Sequence, residues 1–179
     1  MKNRLIYVMG ASGSGKDSLM RYAREKLAKH PKIVFAHRYI TRPADAGGEN
    51  HVSLTPDEFA SRVEAGLFAL RWESHGHHYG IGIEIDQWLA NGATVIVNGS
   101  REYLPHVRTR YQNVVPLLIK VSPEVLRERL LHRRREARDQ IEKRLQRHEV
   151  LADTCGECLE VKNDGPLEEG GDTLIGLIM

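Results

Sequence analysis

Cysteine is nearly absent from the chain: Cys155 and Cys158 are the two among 179 residues. Their spacing, Cys-Gly-Glu-Cys, has no second pair to complete a zinc site, and it does not open a helix after a first strand as a redox motif would. The pair reads as two ordinary thiols near a late turn. Aromatic residues make up only 6%, which fits a compact α/β protein. A net charge of +2 creates no electrostatic demand for a nucleic acid or a membrane. No apolar run approaches the roughly 20 residues of a membrane span. The N-terminus lacks a leader pattern, because its first apolar stretch is short and runs straight into a glycine-rich loop. Internal repeats and low-complexity linkers are missing as well. The chain is expected to be one domain, cytoplasmic, and a monomer or homodimer.

What is present begins at that loop. Residues 10–16 read Gly-Ala-Ser-Gly-Ser-Gly-Lys, the pattern of a phosphate-binding loop. The apolar run Leu5–Met9 precedes it, and a helical pattern (Leu19, Met20, Ala23, Leu27) follows. Gly10, Ala11, Ser12, Gly13, Ser14 and Gly15 allow successive backbone N–H groups to turn around a phosphate, with the helix N-terminus adding partial positive charge. Lys16 is placed to bridge the outer phosphates of a nucleoside triphosphate. The motif asks next for a serine or threonine that binds Mg²⁺. This chain has Asp17, with Ser18 after it. A carboxylate is also a hard oxygen ligand, so Asp17 and Ser18 are the candidate metal ligands.

Strand and helix signals alternate along the chain, which predicts a parallel sheet flanked by helices. Strands are expected at Leu5–Met9, Ile33–Ala36, Thr94–Asn98, Val115–Val121 and Leu159–Lys162. Helices are expected at Lys16–Lys29, Arg101–Tyr111, Pro123–Arg133, Gln140–Ala152 and Leu167–Leu177. Ser122 and Pro123 form a cap and first-turn pair. Residues 38–80 break the alternation with a Pro/Gly-rich loop, a short helix from Thr55 and a strand near Phe68–Glu73. They read as an inserted acceptor-binding lobe, with core at 1–37 and 81–179 and with Gly80 and Gly82 as hinges. His75, His77 and His78 raise the question of a metal, but the neighbouring Gly76 and Gly80 favour a shaped loop.

A basic stretch runs from Arg127 through Arg129, His132, Arg133, Arg134 and Arg135 to Arg138. Such a block is usually a solvated helix face. Beside a phosphate loop it reads as an arginine-rich lid over about 131–140, because phosphoryl transfer spreads negative charge that arginines stabilise. Direct RNA binding is the weaker third reading, and no nucleic-acid partner is expected.

Taken together, these segments resemble the guanylate kinase-like branch of the P-loop nucleoside monophosphate kinases over nearly the full length. The resemblance rests on the phosphate loop, Tyr39-Ile40-Thr41-Arg42-Pro43, Glu73 to Gly80, Arg129 to Arg133, Glu142-Lys143-Arg144-Leu145 and Lys162-Asn163-Asp164. It implies that Arg42 holds the acceptor's phosphate and that Tyr79 belongs to the same acceptor site. It further implies that Arg133 and Arg144 clamp the transferred group and that Asn163 lies near the adenine of ATP.

The departures from the guanylate kinases carry information. Asp45 stands where they have a second arginine, Glu49-Asn50-His51 replaces their Asp-Tyr pair, and their guanine-reading serine aligns near Arg38. Asn98-Gly99-Ser100-Arg101 replaces an Asp-x-Asp, just where Asp17 adds a carboxylate. In these respects, and in its Gly-Lys-Asp-Ser loop, the chain is similar to the ribose 1,5-bisphosphate phosphokinases of phosphonate catabolism. That similarity implies an ATP- and Mg²⁺-dependent transfer to ribose 1,5-bisphosphate, yielding 5-phosphoribosyl 1-diphosphate and ADP. Lys16, Arg133 and Arg144 are then the expected catalytic residues. Arg38 and Arg42 are expected to anchor the acceptor, with His51, Glu73 or His75 reading its hydroxyls. Two rival readings stand beside this one: a guanylate kinase with an unusual loop, and a non-catalytic guanylate kinase-like protein-binding module. Retention of Lys16 and the lid arginines speaks against the second.

Overall fold

The computed structural model describes residues 3–46, 49–132, 139–140, 142–143, 145–146 and 155–179. In chain order the elements are β1 (Leu5–Gly10), α1 (Lys16–Lys26), β2 (Ile33–Phe35), β3 (Arg38–Ile40), β4 (Val52–Ser53), α2 (Pro56–Glu64), β5 (Phe68–Ser74), β6 (His77–Gly82) and α3 (Glu84–Ala90). They continue with β7 (Thr94–Asn98), a 3₁₀ turn (Arg101–Tyr103), α4 (Leu104–Arg110), β8 (Val114–Lys120), α5 (Pro123–His132), β9 (Leu159–Lys162) and α6 (Leu167–Ile178).

The five expected core strands form one sheet in the order β2-β7-β1-β8-β9. The β2–β7 and β8–β9 pairs are parallel. β1 is buried from Leu5 to Met9 and β7 throughout, the continuous apolar burial of a parallel sheet covered on both faces. A second sheet has the order β4-β3-β6-β5. There β6 runs antiparallel to both β3 and β5.

The chain divides into two compact units. The first comprises Met1–Tyr7, Ala28–Asn98 and Pro105–Val114. Its centre holds Ile40, Ile81, Ile85 and Ile96, each at 0% exposure. The second comprises Val8–Leu27, Gly99–Leu104 and Val115–Met179. In it α1 buries Leu19 and Ala23, and α1 packs on α6, where Tyr22 donates to Asp172 across 2.9 Å. Val121, Leu126, Leu130 and Leu145 form a further cluster of this unit, with Ala11 of the glycine-rich loop packed against it.

Several boundaries shift for local reasons. α1 stops at Lys26, three residues before the expected Lys29, and Leu27 closes it with its N–H on the Ala23 carbonyl at 2.9 Å. The expected helix over Arg101–Tyr111 splits at Leu104 into a 3₁₀ turn and α4. Pro105 has no N–H to give the Arg101 carbonyl, and Leu104 donates to it instead. Ser122 caps α5 as expected, accepting from the Val125 N–H at 3.4 Å. Thr55 and Glu58 form a reciprocal capping box on α2, worth about 1 kcal/mol. Of the expected helix over Gln140–Ala152, residues 140, 142–143 and 145–146 are helical; 141, 144 and 147–152 lie outside the described residues.

Gly80 and Gly82 both belong to β6, Gly82 as its last residue. Gly80 is there for space, since a Cβ on it would stand 2.5 Å from the Phe68 ring. Phe68 itself is stacked on Phe59 at 4.6 Å. The two late cysteines also differ from expectation, for the structure joins Cys155 and Cys158 in a disulfide. The turn between them includes Gly156 at φ 62, and it brings the two Cα atoms to 5.9 Å, inside the range a disulfide spans.

Candidate functional site

β1 delivers the chain into the glycine-rich loop of the second unit, and α1 takes it away. Gly13 and Gly15 have φ of 89° and 83°, the left-handed region that a side chain resists. Ser14 N–H closes a tight turn on the Ala11 carbonyl at 3.0 Å. Gly15 is the N-cap of α1 and supplies no side-chain hydrogen bond to it. The first-turn N–H groups therefore have no side-chain cap, and a bound anion is a fitting partner for them. Ser14 is fully buried, and its Oγ has no partner among the described residues. Lys16 opens α1, followed by exposed Asp17 and half-buried Ser18. The loop thus has the form of a phosphate cradle. One carboxylate and one hydroxyl beside it suit a hard cation that also draws ligands from phosphate and water.

Behind the loop stand two residues that fix it. The Arg129 guanidinium donates from Nη1 to the Ser14 carbonyl at 3.2 Å and from Nη2 to the Asn163 carbonyl at 2.8 Å. Asn163, 6% exposed, donates from Nδ2 to the same Ser14 carbonyl at 2.7 Å. Arg129 sits on α5 three positions after Leu126, whose methyl would lie 2.9 Å from a Cβ on Gly13. The apolar packing of α5 on the loop therefore sets the guanidinium in place.

The first unit contains the residues expected to hold an acceptor. Arg38 lies on β3 opposite Ile81 of β6. Its guanidinium covers the Tyr79 ring at 4.9 Å, and Tyr79 in turn stacks on Trp72 at 5.6 Å. Arg38 makes a two-pronged pair with Glu49, Nε to Oε1 at 2.6 Å and Nη2 to Oε2. Arg42 Nη2 lies 3.7 Å from the same Glu49 Oε2, while its Nε is buried without a partner among the described residues. One carboxylate thus faces both arginines.

Loop contacts hold this cluster. His51, 8% exposed, aims Nε2 at the Arg42 carbonyl (3.0 Å) and Nδ1 at the Glu49 carbonyl (3.2 Å). Ser53 Oγ donates to that same Arg42 carbonyl at 2.7 Å. The Tyr39 hydroxyl meets Glu84 at 3.1 Å; burial first, then Glu84, hold its pKa above the usual tyrosine range.

The expected residues therefore separate by position. Gly10, Ala11, Ser12, Gly13, Ser14, Gly15, Lys16, Asp17, Ser18 and Asn163 all fall in the second unit. Arg38, Arg42 and Tyr79 meet in the first. His51 belongs to that cluster with both ring nitrogens turned to main-chain carbonyls, so it shapes the loop. Glu73 is exposed on β5. His75 (φ 51) and Gly76 (φ 77) are the two residues of the tight β5–β6 turn, where two positive φ values match the strand twist. Asp45 is exposed. Arg133, Arg144 and most of the expected lid lie outside the described residues.

Two residues of the site were not assigned from sequence. Glu49 is one; its signal was a carboxylate between Arg42 and His51 in a loop expected to bind anions. Arg129 is the other; its signal was a single charge among Leu126 and Leu130 on the face of α5 that packs on the loop.

No family model matches the chain. Among curated proteins it is 55% identical over 177 residues to ribose 1,5-bisphosphate phosphokinase PhnN of Thiobacillus denitrificans, covering 99% of this chain and 93% of that one. The protein of the same name from Desulfomicrobium baculatum is 54% identical, with 99% and 95% covered. That from Psychromonas ingrahamii is 46% identical, with 99% and 90% covered. Among solved structures, guanylate kinase from Anaplasma phagocytophilum superposes with a TM-score of 0.72 at 18% identity, over 98% of this chain and 84% of that one. A gluconokinase from Sinorhizobium meliloti gives a TM-score of 0.53 at 20% identity, over 98% and 91%. The two structures establish the P-loop kinase fold, and the curated relatives establish the family. The chain belongs to the ribose 1,5-bisphosphate phosphokinase family.

Proposed function

We propose that the protein transfers the γ-phosphoryl group of ATP to the 1-phosphate of ribose 1,5-bisphosphate, giving 5-phosphoribosyl 1-diphosphate and ADP. The observation that carries this reading is identity at about half of all positions, along essentially the full chain, to proteins named for that substrate. An oxygen of the acceptor phosphate forms the new bond to the γ-phosphorus, and the bond from that phosphorus to the β-phosphate oxygen breaks. The attacking oxygen is already largely ionised near neutral pH, so no strong general base is required. Catalysis is then positioning plus stabilisation of charge.

The glycine-rich loop and Lys16 hold the β- and γ-phosphates. Arg133 and Arg144 clamp the transferred group, and closure of the lid over 131–140 excludes water. Arg42 takes the acceptor phosphate through its unclaimed Nε, with Arg38 and Tyr79 behind it. Glu73 and His75 are the candidate readers of the sugar hydroxyls, while His51 supports the loop. Asp17 and Ser18 would hold Mg²⁺, which would supply charge neutralisation for the donor phosphates. We place the domain in the cytoplasm as a small-molecule kinase with core residues 1–37 and 81–179 and an acceptor lobe at 38–80.

Product identity tests the reaction. With MgATP and ribose 1,5-bisphosphate, ³¹P NMR is expected to show, beside the ADP signals, a second new pair of coupled diphosphate signals while the 5-phosphate stays a monoester. A diphosphate built at the 5-position, or none, would contradict the reading. Asp17→Ala is expected to shift the Mg²⁺ requirement for turnover about tenfold higher. An Mg²⁺ titration indistinguishable from the unsubstituted protein's would remove Asp17 from the metal site.

A further inference from the structure

We infer that Arg129 and Asn163 are positioning residues that lock the outer face of the phosphate loop and so preset its N–H groups for the donor's phosphates, whichever base the donor carries. The inference rests on the reading of residues 10–16 as the donor cradle.

The geometry converges on one peptide unit. The Ser14 carbonyl accepts from Asn163 Nδ2 at 2.7 Å and from Arg129 Nη1 at 3.2 Å. In a trans peptide the carbonyl and the next N–H point in opposite directions. Two donors on the Ser14 carbonyl therefore aim the Gly15 N–H away from Arg129 and Asn163. A guanidinium on the carbonyl side also polarises the unit, which strengthens its N–H as a donor.

The lock leaves little room for another arrangement. A Cβ on Gly15 would stand 2.4 Å from Asn163 Nδ2, so the amide fills the space a side chain would need. On its other side, a Cβ on Gly170 of α6 would stand 2.8 Å from Asn163 Oδ1. The Asn163 main chain is held as well, its N–H by the Lys120 carbonyl at 2.7 Å and its carbonyl by Arg129 Nη2 at 2.8 Å. An amide seated in this way serves the loop. That differs from the contact near adenine that the family resemblance implied for Asn163.

The two roles separate on a ligand without a base. Calorimetric titration of the full-length protein with MgATP and with inorganic tripolyphosphate compares them directly. Asn163→Ala and Arg129→Gln are each expected to weaken both ligands by the same factor, about tenfold, with the acceptor KM unchanged. Arg129→Lys keeps the charge but cannot fork across two carbonyls, so its loss should be intermediate. Thermal midpoints without ligand control for folding. If buried Asn163 does not tolerate alanine, the Arg129 variants on α5 decide. A loss seen with ATP but absent with tripolyphosphate would assign the pair to the base and overturn the inference. No loss with either ligand would overturn it equally. A wild-type protein that binds neither would instead remove the donor-cradle reading, and the inference with it.

Discussion

Lys16→Ala is expected to lower kcat by about a thousandfold, equivalent to about 4 kcal/mol of lost transition-state stabilisation. The argument is electrostatic. In phosphoryl transfer the protein does little covalent work, and charge spreads over the equatorial oxygens of the γ-phosphoryl group as its bond to the β–γ bridging oxygen breaks. Lys16 is the cation that the loop sets at the first position of α1. Because its interaction strengthens as the bond breaks, kcat should fall far more than ATP affinity. The fold should survive, since alanine is the best helix former and the helix is held further along by buried Leu19 and Ala23. A melting midpoint near the unsubstituted value with turnover nearly abolished is the expected pair of results. Near-native turnover would refute the cradle.

Arg42→Ala should raise the acceptor KM by about a hundredfold and leave ATP binding alone. Arg42 is the arginine of the pair whose Nε is buried without a partner among the described residues, and its contact to Glu49 is loose at 3.7 Å. A phosphate oxygen there gains a charge-assisted hydrogen bond of about 2–3 kcal/mol. Arg38→Ala should behave differently. Arg38 is bound to Glu49 through two nitrogens, with the partners' side chains only 11% and 14% exposed. Removing it takes the two-pronged partner from a carboxylate that is nearly out of water and leaves the looser contact to Arg42, which costs up to about 3 kcal/mol of stability. The contrast separates an anchor from a support. Steady-state kinetics with a thermal melt on both variants reads it, and a KM unchanged in Arg42→Ala would move the acceptor site elsewhere.

Most of the fold was legible because its signals are local. β7 and β9 fall on the expected residues: β7 is a short apolar run closed by Asn98 and Gly99, and β9 alternates apolar and charged residues up to Asn163. The phosphate loop was legible because its backbone demands glycine at fixed positions. The lobe was harder to read. β6 carries two histidines and two glycines in His77–Gly82, and nothing in that run says strand. It is a strand because Phe68 needs the space above Gly80 and because β3 and β5 pair with it on either side. α3 went unassigned because its seven residues give too little period to read against Gly80 and Gly82 just before it. It is fixed instead from α4: Arg110 reaches Asp86 at 2.7 Å and the Tyr111 hydroxyl binds the same carboxylate. Burial first, then that carboxylate, push the Tyr111 pKa well up. The glycine-rich loop followed from a motif. The Arg38–Arg42 cluster depended on long-range pairing, in which one carboxylate, Glu49, takes up most of Arg38 and little of Arg42.

The claim that the acceptor is a sugar bisphosphate is tested most directly by ADP release from MgATP, measured in parallel with ribose 1,5-bisphosphate, with GMP and with no acceptor. Turnover confined to ribose 1,5-bisphosphate is the predicted result, and it would give the replacements at Asp17, Asp45 and Glu49 a chemical meaning. Turnover with GMP and none with the sugar bisphosphate would contradict the account and return the chain to guanylate kinase activity.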